Sequence, residues 1–399
     1  MLVAVTEAGK YFSLGNRCLE LEKLRQLRKT EHYYCPACKQ EVILKLGTKQ
    51  AWHFAHKPHH SCSDEAEGET SYHIEGKKLL YEWLRKQGLE VSLEPYLKEV
   101  KQRPDLLLKI SNNIYAIEFQ CAKIAPEIFL KRTHSYQAHH YTPIWILGGN
   151  QLKRIKGNFF QLNSFHWLFA SEPSSEKTSL QLITFCPKNN TFILLRNMIA
   201  ISANRAFCTP KFSKLANSSF KSLFQTNKQQ YPSEVLLQIK ANWRRPRIRL
   251  SQAELYLQKI YYQKSTPISL YPAEAGFPTV FSEFIETPSF IWQSWLLEIF
   301  IATKSTGEKF HVNLVTRALQ SLIHKGIFQL RSIPLQYSGS LFLTIQNYLF
   351  FLAKLKILTT NDGQLFIKNA EIRKPRNVEE GLMKDKQVML EFVSVNTYL

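Results

Sequence analysis

Two groups of residues in this 399-residue chain are of types and spacings that do chemistry. The first is Cys35-Pro36-Ala37-Cys38, followed by Trp52-His53-Phe54-Ala55-His56 and then by Cys62. Zinc takes four tetrahedral nitrogen and sulfur ligands, and two tight knuckles joined by a short hairpin supply them. Residues 41–46 and 51–54 read as that hairpin. Cys35 and Cys38 form the firm pair, and His53, His56 and Cys62 compete for the two remaining places, with His56 and Cys62 preferred. Zn2+ closed in by four protein ligands is structural, stabilising a module too small to bury much core of its own. The density of Cys and His favours this over a redox Cys-x-x-Cys or a core cysteine pair.

The second group pairs Arg103-Pro104-Asp105 with Ile117-Glu118-Phe119-Gln120. Both segments read as strand, joined by a turn at Ser111-Asn112-Asn113. A turn centred on Asn112 sets Asp105 across from Phe119, so Glu118 needs a one-residue adjustment, such as a bulge, to share a face with Asp105. Two converging carboxylates ligate a hard cation such as Mg2+ or Mn2+, which activates water and stabilises charge on a phosphate. The corresponding reaction is phosphodiester hydrolysis. Glu118 lies between the apolar Ile117 and Phe119, where an acid is costly unless it is paired, metal-bound or exposed.

The elements that must hold these residues follow from periodicity. A helix over Gly68 to Gln87, stopped by Gly88, carries an apolar arc of Tyr72, Gly76, Leu79, Leu80, Trp83 and Leu84. Glu69 falls inside that arc, and His73 and Lys77 follow it at i+4 spacing along the arc's edge. Polar groups on a packing face point to function, although an exposed helix surface with intrahelical pairs explains the same spacing. Three strand-like runs come next, Leu89 to Leu97, Asp105 to Ile110 and Ile114 to Cys121. A helix from Pro126 to His139 then leads to the strand Pro143 to Leu147, closed by Gly148-Gly149.

This αβββαβ order predicts an α/β unit over residues 64–150. Residues 1–63 hold a short strand (Leu2 to Thr6), a charged helix (Leu19 to Thr30) and the Cys/His cluster. Residues 151–280 are basic and irregular, and no fold is assigned to them. Residues 281–399 are mainly helical, with helices at Ser289 to Thr303, Val312 to Lys325 and Leu341 to Lys356. A hairpin turns at Asn361-Asp362-Gly363. A winged helix and a helical bundle with a terminal hairpin both fit that order.

Charge adds a partner class. The chain has 52 Lys and Arg against 32 Asp and Glu, and residues 151–264 hold 18 of the former and only 4 of the latter. That stretch includes Arg244, Arg245, Arg247 and Arg249, interleaved nearby with aromatic residues, as a single-strand binder requires for phosphates and bases. A polyanion partner is expected, with a solvated basic face as the alternative. The apolar run Phe290 to Ala302 is broken by Gln293 and Glu298 and falls short of the roughly 20 residues a membrane span needs. The N-terminus has no basic and apolar leader, so a cytoplasmic protein is expected. Seven cysteines are too few and too unevenly spread for a disulfide framework.

Taken in order, several segments resemble the competence protein CoiA family across most of the chain. They are Tyr34-Cys35-Pro36-Ala37-Cys38, His53-Phe54-Ala55-His56-Lys57, Glu69 with His73 and Lys77, and Gln102-Arg103-Pro104-Asp105. Ala116-Ile117-Glu118-Phe119-Gln120 and Pro143-Ile144-Trp145-Ile146-Leu147-Gly148 complete the pattern. The resemblance implies a zinc-finger-like N-terminal module, a nuclease domain of the restriction-endonuclease-like PD-(D/E)XK type, and a further C-terminal region. It also implies a role in DNA uptake, in processing or recombination of incoming single-stranded or branched DNA.

Carried over by residue, the resemblance makes Asp105 and Glu118 metal ligands and Glu69 a further acid. Gln120 stands where much of the superfamily has Lys, and a neutral amide cannot supply that positive charge. Either Lys77 reaches in from the helix, or Gln120 positions water, or the site has lost activity. Arg132 and Tyr136, at i and i+4 on the second helix, face substrate or metal, or pair with each other at the surface. The expected function is a metal-dependent DNA nuclease of natural competence. The alternative is a non-catalytic DNA-binding protein that recruits recombination or uptake proteins.

Overall fold

The computed structural model describes residues 1–399 apart from 16–18, 49–50, 58–61, 63–69, 173–179, 226–231, 247–248, 336 and 397–399. The N-terminal module is a five-stranded antiparallel sheet in the order β2-β1-β3-β4-β5. Its strands are β1 (Val3–Thr6), β2 (Tyr11–Ser13), β3 (Tyr33–Tyr34), β4 (Glu41–Lys45) and β5 (His53–His56), with helix α1 (Leu21–Thr30) between β2 and β3. The period-2 pattern of β4 buries Val42 and Leu44, which join Tyr33 and Phe54 in a small core.

Helix α2 (Ser71–Lys86) begins at Thr70, whose hydroxyl accepts a hydrogen bond from the His73 amide at 3.3 Å. Its apolar arc packs on a large mixed sheet containing β6 (Glu90–Leu93), β7 (Leu106–Ile110), β8 (Asn113–Gln120) and β9 (Tyr141–Gly148). Helix α3 (Pro126–Ala138) crosses from β8 to β9, which run parallel. The predicted αβββαβ order is therefore present. The β7–β8 turn differs from the expectation. Ile110 pairs with Asn113, so the loop is the two residues Ser111-Asn112, with Ser111 at φ +53°. That shifts the register by one: Leu106 faces Ile117, and Asp105 and Glu118 come at the adjoining positions, where their side chains leave toward opposite layers, Asp105 to α2 and Glu118 to α3.

The expected boundary at residue 150 falls inside this sheet. Strands β10 (Lys153–Lys156), β11 (Phe159–Gln161), β12 (Ala170–Ser171), β13 (Gln181–Cys186), β14 (Thr191–Ser202) and β15 (Arg205–Lys214) all belong to it, with helix α4 (Ser164–Trp167) between β11 and β12. The order is β10-β11-β15-β14-β13-β9-β8-β7-β6, and β12 pairs with β13. The reason is that β13 adds in parallel to β9, so Trp145-Ile146-Leu147 is an internal run buried on both faces rather than a closing edge. One face packs on α2 through Phe119, Phe185 and Phe192 in a core that continues into Leu2 and Phe54 of the N-terminal module. The other face carries Phe129, Trp145, Trp167 and Leu195.

The C-terminal region is mainly helical. Helices α5 (Ser233–Trp243), α6 (Gln252–Gln263) and α7 (Ser289–Trp295) are followed by a π-helical turn, Leu296–Ile301. Then come β16 (Lys309–His311), α8 (Val312–His324), α9 (Leu341–Lys354), β17 (Leu358–Thr359), β18 (Leu365–Lys368) and α10 (Val378–Asn396). β16 returns to pair with β18, giving the strand order β16-β18-β17. Helix, strand, two helices and a hairpin closed by the earlier strand form the order of a winged helix. No helix among the described residues is long and apolar enough to cross a membrane.

One expectation from the basic cluster is corrected here. Arg244 is 1% exposed, and its Nε and Nη2 donate to the two oxygens of Asp385 at 2.7 and 2.8 Å. Asp385 lies on α10, so the guanidinium ties the end of α5 to that helix and cannot reach a nucleic acid. Arg245 and Arg249 are exposed, and Arg247 lies outside the described residues.

A close approach in the first core gives a test of the packing. A Cβ added at Gly76 of α2 would lie 1.9 Å from a ring carbon of Phe119. Alanine is the better helix former by about 1 kcal/mol. Even so, Gly76→Ala is expected to lower stability in urea unfolding by about 1–3 kcal/mol, the usual cost of overpacking. Adding Phe119→Leu should recover part of the loss.

Candidate functional site

Asp105, at the entry to β7, and Glu118, near the end of β8, meet at one rim of the large sheet. Asp105 Oδ2 accepts from the Phe119 amide at 2.8 Å and lies 3.2 Å from His73 Nε2. Its other oxygen is 3.5 Å from Lys77 Nζ. His73 and Lys77 thus aim one turn of α2 at a single carboxylate. Lys77 is completely buried and also donates to Glu94 Oε1. Glu94 in turn accepts through Oε2 from the amides of Leu2 (2.7 Å) and Val3 (3.2 Å). It holds φ +46°, a left-handed conformation that non-glycine residues seldom adopt.

Glu118 points to the opposite layer. Its Oε1 accepts from Arg132 Nη2 and, at 2.5 Å, from the Tyr136 hydroxyl. Arg132 Nη2 also lies 3.3 Å from Tyr136 Oη and 3.4 Å from the Arg103 carbonyl. Neither expected alternative for Arg132 and Tyr136 describes this: they touch each other, but Tyr136 is buried and both bond the Glu118 carboxylate. Gln120 shares the face of Glu118, and its Nε2 donates to the Ala122 carbonyl at 3.0 Å.

The two acids are pushed in opposite directions. Burial alone would raise Asp105, but the positive charges of His73 and Lys77 and the Phe119 amide bring it below the usual carboxylate range. Glu118 is raised, by burial first and by the Asp105 charge, with Arg132 opposing. A carboxyl held up in this way is relieved by a nearby cation, and the one beside Glu118 is the Arg132 guanidinium. Glu69, the expected third acid, lies outside the described residues.

The second constellation lies in the N-terminal module. Cys35 and Cys38 flank a knuckle between β3 and β4, tightened by the Lys39 amide donating to the Cys35 carbonyl at 3.0 Å, with Lys39 at φ +62°. His56 ends β5, and its Nε2 lies 3.2 Å from Cys38 Sγ. The ligand atoms of Cys35, Cys38, His56 and Cys62 all lie within 4.8 Å of one another. Zinc–sulfur bonds of about 2.3 Å imply ligands roughly 3.8 Å apart, so four such atoms fit one tetrahedral ion. His53 is not among the ligand atoms gathered there; its Nδ1 lies 2.8 Å from the Ala51 carbonyl.

The module and the carboxylate site adjoin. Arg103 Nη1 donates to Met1 Sδ at 3.3 Å, while the Arg103 carbonyl faces Arg132. The residue that sequence reasoning missed is Glu94. Its signal was the one that marked Glu118, an acid directly after the apolar Val91 and Leu93 positions of a strand.

Three family models match in succession. Competence protein CoiA, N-terminal domain, matches residues 17–65; Competence protein CoiA, nuclease-like domain, matches 69–228; and Competence protein CoiA, C-terminal domain, matches 231–382. The nuclease-like match runs past residue 150, as the sheet does. A curated protein described as competence protein CoiA, from Bacillus subtilis (strain 168), is 30% identical over 370 residues, covering 92% of this chain and 97% of that protein. No solved structure matches.

The lowered carboxyl of Asp105 makes stability depend on pH with a definite sign. A group depressed by folding contributes stability above its unfolded value, near 3.9 for Asp, and loses it as pH falls toward the folded value. Asp105→Asn should therefore cost stability at neutral pH and show a shallower loss than wild type below about pH 4. Urea unfolding across that interval measures both slopes.

Proposed function

The chain belongs to the competence protein CoiA family, and from that premise we propose that it is a metal-dependent nuclease acting on DNA in the cytoplasm during transformation. Its competence-related role and nuclease-like domain follow from the family matches. The observation that carries the reading is the meeting of Asp105 and Glu118 at one rim, with the Lys77 ammonium 3.5 Å from Asp105.

Asp105 and Glu118, with Glu69, would hold Mg2+ or Mn2+, which supplies activated water and charge stabilisation on the phosphate. The chain's own residues do the rest. His73 and the Phe119 amide fix the Asp105 carboxylate and keep it ionised. Lys77 brings the positive charge that Gln120 lacks. Gln120, on the face of Glu118, would orient water, and Arg132 with Tyr136 hold Glu118 in position. Cys35, Cys38, His56 and Cys62 would hold Zn2+ in a closed structural site.

A specific observation favours a second reading. Each carboxylate is already matched by a cation of the same chain, Arg132 for Glu118 and Lys77 with His73 for Asp105, and the Gln120 amide is engaged with Ala122. A site satisfied in this way suits a non-catalytic DNA clamp that recruits recombination machinery.

Two measurements test these readings. Wild type and Glu118→Ala are incubated with single-stranded, duplex and branched DNA in Mg2+ or Mn2+, and the products are run on a denaturing gel. Wild type should cut and the variant should lose about a hundredfold or more, since losing a metal ligand costs several kcal/mol at roughly 1.4 kcal/mol per tenfold. Binding without any cutting by wild type would leave the clamp. Separately, mass-spectrometric metal analysis should find one zinc per chain, lost in Cys38→Ser and retained in His53→Ala. Equal zinc in all three would overturn the proposed ligand set.

A further inference from the structure

We propose that the sheet rim running from the carboxylate site to the end of β15 is a track for single-stranded DNA. Lys123, Lys188 and Lys214 meet its phosphates, and Phe212 stacks on a base. The inference rests on the reading that DNA is the substrate, but not on its being cut.

Register carries the geometry. Gln120 pairs with Leu147, Leu147 with Thr184, Thr184 with Ile193 and Ile193 with Phe212, so these five residues form one row across β8, β9, β13, β14 and β15. Paired residues share a face, which puts Phe212 on the same face of the sheet as Glu118 and Gln120. Because β8, β9 and β13 are parallel, the segments that follow them emerge at one rim. Lys123 follows β8, Lys188 follows β13, and Lys214 ends β15 at the same rim, opposite Thr191. All three are exposed. Four interstrand spacings of about 4.8 Å separate the Gln120 strand from the Phe212 strand, roughly 19 Å.

Charge and exposure point the same way. Residues 188–224 contain Lys188, Arg196, Arg205, Lys211, Lys214 and Lys221 and no Asp or Glu. Lys214 Nζ donates to the Asn189 carbonyl at 3.0 Å, which docks its charge on the turn that carries Lys188. Phe212 is 56% exposed in mid-strand, a position where a ring gains little from folding and is available to a base. The rival surfaces are poorer. Arg244 is buried, and α9, the helix a winged helix would offer, presents Leu341, Phe342 and Phe350 with Lys354 as its single cation.

The test is fluorescence anisotropy with a labelled oligo-dT of about 20 nucleotides and a duplex of equal length, without added divalent cation, over a series of KCl concentrations. Replacing Lys123, Lys188 and Lys214 together by Ala should make the salt dependence of log affinity shallower by about 2, at roughly 0.7 per phosphate contact. Phe212→Ala should weaken single-strand binding about tenfold, leave its salt slope unchanged and affect the duplex less. A triple variant with the wild-type slope, a loss that appears instead in Arg245→Ala with Arg249→Ala, or a wild type that binds no DNA would each overturn the track. Because no metal is added, a wild type that binds but fails the cleavage assay removes the nuclease reading and leaves the track standing.

Discussion

A fully buried ammonium organises the front of this molecule. Taking Lys77 out of water costs several kcal/mol unless counter-charges are built around it, and the chain supplies two, Glu94 and Asp105. Each counter-charge constrains something else. Glu94 must turn through a left-handed conformation to reach the ammonium, and its second oxygen then gathers the amides of Leu2 and Val3. Asp105 must sit at the lip of the β7–β8 hairpin, where His73 and the Phe119 amide complete its partners. The first strand of the N-terminal module, the first helix of the nuclease-like domain and the carboxylate site are therefore tied at one point. Residues 65 and 69, where two family matches meet, do not separate two cores, because Leu2 and Phe54 belong to the same apolar cluster as Leu80 and Trp83.

What could be read in the sequence was what local pattern controls. The αβββαβ order was legible because the apolar arc of α2 and the apolar runs of β7 to β9, bounded by turn residues, are local patterns. The Asp105–Glu118 pairing was visible as chemistry but offset by one, because the turn length was taken as three residues and the backbone closes it in two. The strands of residues 151–214 were illegible for a different reason. One of them, β13, takes its partner β9 from earlier in the chain in a parallel arrangement, and β14 and β15 are then added to β13 in turn, so the sheet to which they belong is set outside the segment. Arg244 shows the same limit in a side chain: a run of arginines reads as a basic face until an aspartate 141 residues away takes one of them into the core. Glu94 carried a local mark, but its meaning lay in Lys77 and in a strand at the other end of the module.

A single sheet has a consequence for DNA that two separate domains would not have. Had the basic segment formed its own unit beyond residue 150, its distance from the carboxylates would be set by a linker. Instead, hydrogen-bonded strand pairs run without a break from β8 to β15, so the exposed ring of Phe212 and the acids near the end of β8 are held at a fixed separation. Under the proposed function, such rigidity would let the chain present a chosen phosphate to a chosen point, whether to cut it or to hold it.

Arg132 is where the two readings of the site divide. For a divalent cation to take Glu118, the guanidinium has to release that carboxylate, and an Arg left without partners in a buried layer would oppose the exchange. Arg132 is not in that position. Its Nη2 already lies within 3.4 Å of both the Tyr136 hydroxyl and the Arg103 carbonyl, so two oxygens remain when the third is withdrawn. Glu118 has reason to exchange as well, since burial and the Asp105 charge hold its carboxyl up and a doubly charged ion relieves both. If Glu118, with Asp105, were to hold a divalent ion, Arg132 would be free to offer its positive charge to a phosphate. In the clamp reading the same contact is permanent and Glu118 serves only to seat Arg132. The chemistry of the site thus reduces to which partner that one carboxylate keeps when DNA and a divalent ion are both present.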